Sequence, residues 1–143
     1  MLTKFPNRMS EFTFPDNCWV GTTVDCQARV KNAEKSFRRV KAKVKWLSCE
    51  PLIEPLKFTD LGAFQWVVIG GASSSTKTPE WHPPRRWVVE LEAAVWATGG
   101  KVYEKDNLFP SDVGTSRIRE YPGQDVESVS APERLVYLPQ EIG

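Results

Sequence analysis

The sequence predicts an α/β fold: a parallel sheet of about five strands, arranged as a partial (β/α) barrel with an irregular C-terminal tail. Two observations carry this expectation. Short apolar runs alternate with longer segments of helical periodicity, the pattern of parallel α/β sheets. The strongest run, Phe64-Gln65-Trp66-Val67-Val68-Ile69, is almost continuously apolar, as expected of a strand covered on both faces. No repeat of solenoid length is visible.

The elements follow in order. Residues 2–4 form a first short strand, and a short helix runs through Arg8, Met9 and Phe12. Residues 17–25 hold a second strand around Cys18-Trp19-Val20-Gly21, opening into polar Thr22, Thr23 and Asp25. The spacing of Val30, Ala33, Phe37 and Val40 puts them on one face of a helix over 27–40. A third strand, Val44-Lys45-Trp46-Leu47-Ser48, stops before Pro51, which cannot continue a central ladder. Residues 51–63 carry Pro51 and Pro55 and read as a loop with at most one helical turn. The fourth strand ends in Gly70-Gly71-Ala72-Ser73-Ser74-Ser75, a polar loop. A helix starts near Pro83-Pro84, where proline suits a first turn, with an apolar face of Trp87, Val88, Leu91, Ala94 and Val95. Gly99-Gly100 stop it, and Lys101-Val102-Tyr103-Glu104 is the last strand. Residues 1–109 are the expected domain. Residues 110–143 read as an arm, whose short apolar run Leu135-Val136-Tyr137-Leu138 packs on the domain or on a partner.

A chain of 143 residues suits a single domain and needs no disulfide or metal to build its core. No apolar run approaches the roughly 20 residues of a membrane span, and the N-terminus lacks a signal-like apolar stretch. Cys18, Cys26 and Cys49 are an odd number at spacings that suit neither a zinc clip nor a disulfide framework. Reduced thiols in a cytoplasm follow. One histidine and scattered acids define no metal set. Charge is segregated: between residues 29 and 45 eight basic residues face one acid, net +7, so the overall +1 leaves −6 elsewhere.

In parallel α/β folds, ligands bind beyond the carboxyl ends of the strands. That rule points to Lys4; Thr22, Thr23 and Asp25; Ser48, Cys49 and Glu50; Gly70, Gly71, Ala72 and Ser73; and Glu104, Lys105, Asp106 and Asn107, a set able to bind an amine, coordinate a cation or cradle a phosphate, of which Thr22, Glu50, Gly70, Gly71, Ser73, Glu104 and Lys105 are the ligand-binding candidates. Blander roles stay open. Gly70-Gly71 can simply make a tight turn, Glu50 can pair with a nearby lysine, and Cys49 can be a small buried hydrophobe. His82, flanked by Trp81 and Pro83, suits a cap or solvent better than catalysis. A second reading is a nucleic-acid-binding module using Arg38, Arg39, Lys41, Lys43 and Lys45. On a strand, Lys41, Lys43 and Lys45 would share one side, and an exposed Trp46 could stack a base, although Trp46 equally suits the core.

Five motifs stand in order: Leu2-Thr3-Lys4 with Pro6 and Arg8-Met9; Trp19-Val20-Gly21; Ser48-Cys49-Glu50-Pro51-Leu52; Trp66-Val67-Val68-Ile69-Gly70-Gly71; and Tyr103-Glu104-Lys105-Asp106-Asn107-Leu108. Over residues 1–108 the chain resembles the later part of a phage and bacterial family of radical-SAM-like proteins of unknown function. The resemblance implies an incomplete (β/α) barrel. It lacks the cysteine-rich first part that would hold an iron–sulfur cluster, since Cys18, Cys26 and Cys49 do not match that motif. No cofactor is expected in this chain; S-adenosylmethionine is implied by the resemblance alone. Where relatives follow Gly-Gly with Glu-Ser, this chain has Ala72-Ser73, one carboxylate fewer. Five strands leave a barrel open. Self-association, a separately encoded first half-barrel, or cover from the tail would complete it.

Overall fold

The computed structural model describes residues 1–112 and 114–123. In chain order the elements are β1 (Leu2–Thr3), a 3-10 helix (Pro6–Glu11), β2 (Trp19–Thr23), α1 (Gln27–Phe37), β3 (Val44–Cys49), β4 (Trp66–Ile69), α2 (Arg85–Ala97) and β5 (Lys101–Glu104). The strands form one open, all-parallel sheet in the order β1-β2-β3-β4-β5. The expected α/β class and strand count hold. Crossovers of one hand between successive neighbours carry both α-helices to the same face of such a sheet.

Side chains alternate along each strand, so the register assigns them to two faces. Leu47, Val67 and Val102 stand level with one another, as do Cys49 and Ile69 one pleat further on. These residues form the core with Val30, Ala33 and Phe37 of α1 and Val88, Leu91 and Val95 of α2. On the opposite face Gly21, Trp46 and Trp66 are level, followed by Thr23, Ser48, Val68 and Tyr103.

Local chemistry sets the element ends. The helix expected to reach residue 40 stops at Phe37, whose carbonyl takes a 2.9 Å hydrogen bond from Lys45 Nζ. A lysine at a helix C-terminus satisfies a carbonyl that has no intrahelical partner. β3 begins at Val44, as the sequence predicts, so Lys41 and Lys43 lie in the connection and no strand places them on one side with Lys45. The loop 51–63 contains no helical turn. It is held instead by Glu34, 5% exposed, whose Oε1 accepts the amides of Thr59 (2.6 Å) and Asp60 (2.7 Å). A buried carboxylate is tolerable when charge-assisted hydrogen bonds replace water. Helix α2 ends where predicted, with Gly99 at φ +79°, a conformation that favours glycine.

The sheet edges are protected by different means. β1 has two residues, and the terminal ammonium of Met1 bonds the Trp19 carbonyl at 2.8 Å. Along β5 runs an antiparallel strap: Glu104 N donates to Ile118 O (2.8 Å) and Glu120 N to Val102 O (2.9 Å). Covering an edge removes a template for unwanted strand pairing. The apolar run 135–138 lies outside the described residues.

Candidate functional site

Glu50, Gly70 and Lys105 lie two residues beyond Ser48, Val68 and Tyr103, hence on the face that carries no helix among the described residues. There Lys105 Nζ sits 3.0 Å from Glu50 Oε1 and 2.8 Å from Oε2. The pair joins the end of β3 to the end of β5, with β4 between them. Gly70 makes the crossing feasible. A Cβ at this position would lie 3.0 Å from Glu50 Cγ and 3.2 Å from Asn107 Oδ1. The lysine is 43% and the glutamate 26% exposed at the side chain, so the pair meets solvent.

Gly71 turns to the other side of the same exit. Its amide donates to Asn107 Oδ1 and its carbonyl accepts from Asn107 Nδ2, each at 3.1 Å. The Asn107 carbonyl lies 2.8 Å from His82 Nδ1, and His82 Nε2 is 2.7 Å from Glu80 Oε1. Both ring nitrogens therefore face acceptors, an arrangement that only the doubly protonated ring satisfies. The hydrogen bond to Glu80 leads in raising the His82 pKa above its ordinary 6.5. The loop between is closed by paired Ala72 and Trp81, and Trp81 Nε1 donates to Leu52 O at 2.9 Å.

Of the seven ligand candidates, the structure gathers Glu50, Gly70, Gly71 and Lys105 at one rim. Three are placed elsewhere. Thr22 shares the core-side parity of Val20, is buried, and donates to Thr3 O at 2.9 Å, tying β1 to β2. Glu104 shares the core side with Val102, is 3% exposed and accepts the Ile118 amide at 2.7 Å. Ser73 is exposed in the loop after the rim. Cys49 is wholly buried, and burial, then the nearby Asp25 charge, pushes its thiol up to about 12. Such a thiol stays protonated and is no nucleophile.

The same face also holds a wall of rings that sequence reasoning missed. Trp66 is central, with centroids 5.5 Å from Trp19, 5.5 Å from Trp46, 5.8 Å from Tyr103 and 5.7 Å from Tyr121. Its Nε1 donates to Glu120 O at 2.8 Å, anchoring the strap. Trp46 lies flat over Gly21, where a Cβ would come within 2.6 Å of indole Cδ2. All these rings are half-buried. The detectable signal was parity: Trp46 precedes Glu50 by four residues and Trp66 precedes Gly70 by four, so each pair shares a face. Between wall and rim stand Thr23 and Ser48, whose hydroxyls hold no hydrogen bond among the described residues.

The basic segment spans α1, the connection after it and the start of β3. Arg38 Nε pairs with Asp60 Oδ2 at 3.2 Å, while Arg39, Lys41 and Lys43 are exposed. Lys45 is half-buried at the end of α1, and burial lowers its pKa. Trp46 points to the face opposite Lys45, so it does not accompany that charge. Among the described residues no three His, Cys, Asp or Glu side chains gather as a metal set, and no helix is long and apolar enough to cross a membrane. The three cysteines are free.

Residues 1–106 match the family described as "Protein of unknown function (DUF5131)". No curated protein and no solved structure matches the chain.

Proposed function

The chain belongs to this family of unknown function, and on that premise we propose that it is a ligand-binding partial (β/α) barrel without iron–sulfur chemistry of its own. Its ligand is a small zwitterion carrying a flat ring, bound on the helix-free face. The observation that carries this reading is the Glu50–Lys105 pair, crossing Gly70 at the mouth just beyond the aromatic wall. A carboxylate and an ammonium side by side match the two charges of an amino-acid group. An ion pair this exposed contributes about 0–1 kcal/mol, so a ligand that replaces both partners separates it at small cost. Trp46 or Trp66 offers a ring face for stacking. At about 3.3 Å per residue, Trp66 and Gly70 are about 13 Å apart, a span suited to a nucleoside bearing an amino-acid chain.

S-adenosylmethionine has this chemistry, and the resemblance to radical-SAM-like barrels, carried by the same motifs, implies it. Glu50 would take its ammonium, Lys105 its carboxylate, and the rings its adenine. When bound in cluster-containing enzymes, that cofactor supplies a radical; this chain's cysteines offer no converging ligands for a cluster. The role proposed for the residues here is to hold and orient. Tryptophan emission titrated with S-adenosylmethionine, adenosine and methionine tests it. Saturable quenching by the first, weaker quenching by the other two, and loss in a Glu50→Gln, Lys105→Met double variant are expected. Unchanged emission with all three, together with calorimetric silence, overturns the reading.

A further inference from the structure

We infer that the cleft between the 3-10 helix and α1 is a binding site for a phosphate group. This cleft lies in the helical layer, across the sheet from the aromatic wall, so it stands independently of the rim site. It encloses about 230 Å³ and is lined by Asn7, Ser10, Asn32, Lys35, Ser36 and Arg39. No carboxylate is in the lining. Lys35 and Arg39 are four residues apart at the end of α1, both exposed, and neither holds an ion pair among the described residues. Their neighbours differ: Arg8 pairs with Glu11 and Arg38 with Asp60.

The dipole of α1 favours Lys35 in its last turn and Arg39 just beyond its end, but two like charges lining one cleft repel. An anion between them relieves that repulsion. The neutral residues supply the rest of the donor set. Ser36 Oγ has only long contacts to the amide oxygens of Asn7 (3.4 Å) and Asn32 (3.5 Å). With the oxygens directed there, both amide nitrogens remain as donors without a protein partner among the described residues. A guanidinium fork, an ammonium and two amides suit a ligand that only accepts hydrogen bonds. The volume falls below the roughly 300–1,000 Å³ of sites for drug-sized molecules. It fits a phosphate with a small substituent, whether a phosphomonoester or one unit of a nucleic-acid backbone. Exposed Lys41 and Lys43 follow Arg39 and offer a path for a longer polyanion.

The test is amide NMR on the full chain at constant low ionic strength, titrating inorganic phosphate, glucose 6-phosphate and a short single-stranded oligonucleotide. Saturable shifts at Asn7, Asn32, Lys35 and Arg39 are expected. In a Lys35→Ala, Arg39→Ala variant, whose exposed substitutions leave the melting temperature near that of the parent, affinity falls at least ~10-fold, equivalent to ~1.4 kcal/mol. Tighter oligonucleotide binding with log K falling steeply against log salt identifies a backbone phosphate. Equal or tighter binding of glucose 6-phosphate identifies a phosphomonoester. No saturation with any of the three, or binding that the double variant leaves intact, overturns the proposal.

Discussion

On one face of the sheet Leu47, Val67, Ile69 and Val102 disappear beneath α1 and α2; on the other, Trp19, Trp46, Trp66 and Tyr103 keep part of their rings in solvent. The first face is mainly aliphatic side chains, which need only shape and volume to pack, with Thr22, Lys45 and Glu104 each held by a hydrogen bond. The second is built from large rings, two buried hydroxyl residues and a half-exposed ion pair. The difference teaches where stability resides, and the proposed recognition falls on the other face. Buried aliphatic surface stabilises at about 25 cal/mol per Å² removed from water. Half-exposed rings leave much of that gain unrealised, which under the proposed function a ligand would recover.

The largest effect sharpening this contrast belongs to the helix-covered face. Leu47→Ala removes a side chain with no exposure and should cost about 2–5 kcal/mol in chemical denaturation, with an unchanged denaturant slope. On the ring face, Gly21→Ala drives a methyl into the Trp46 indole. A loss of about 1–3 kcal/mol is expected, because a ring must leave its position. A shift in tryptophan emission should accompany it. If emission stays unchanged, Trp46 does not lie over Gly21. Glu34→Ala leaves the Thr59 and Asp60 amides without their acceptor and should also cost about 1–3 kcal/mol. Protease cleavage within 51–63 should rise with it.

Lys105→Met should change stability by no more than ~1 kcal/mol, since the pair meets solvent. Its effect belongs in ligand binding, and a large destabilisation would assign the pair to the fold. The smallest effect is pH-dependent. The His82 pKa is raised in the folded state, so the stability that its clamp contributes is fully present below 6.5 and is lost as pH rises through the folded-state value. The stability–pH profile of His82→Gln should lack that alkaline loss, and NMR titration of the ring should give a midpoint above 6.5.

The element order was legible because apolar runs and helical periods alternate so plainly. The end of α1 was not: Val40 continues the periodicity, while the helix stops at Phe37 beneath the Lys45 ammonium. That Glu50, Gly70, Gly71 and Lys105 share one rim could be read from strand ends alone. Glu104 and Thr22 were misplaced although parity with Val102 and Val20 sets them on the core side. Gly70 was readable as a turn, but its contact with a side chain reaching from β3 to β5 requires knowing the strand order. Glu34 holding a loop 25 residues away, and the strap on β5, left no local pattern. Their hydrogen bonds run from side chain to distant backbone, or between backbones with no periodic sequence.

The central claim is that recognition lies on the ring face, at the rim shared by Glu50, Gly70 and Lys105. Amide and indole NMR during titration with S-adenosylmethionine tests it most directly. The account predicts saturable shifts at Gly70, Gly71, Lys105 and the indole protons of Trp46 and Trp66, with α1 and α2 unmoved. Shifts confined to the helical layer, or none at any concentration reached, would contradict it.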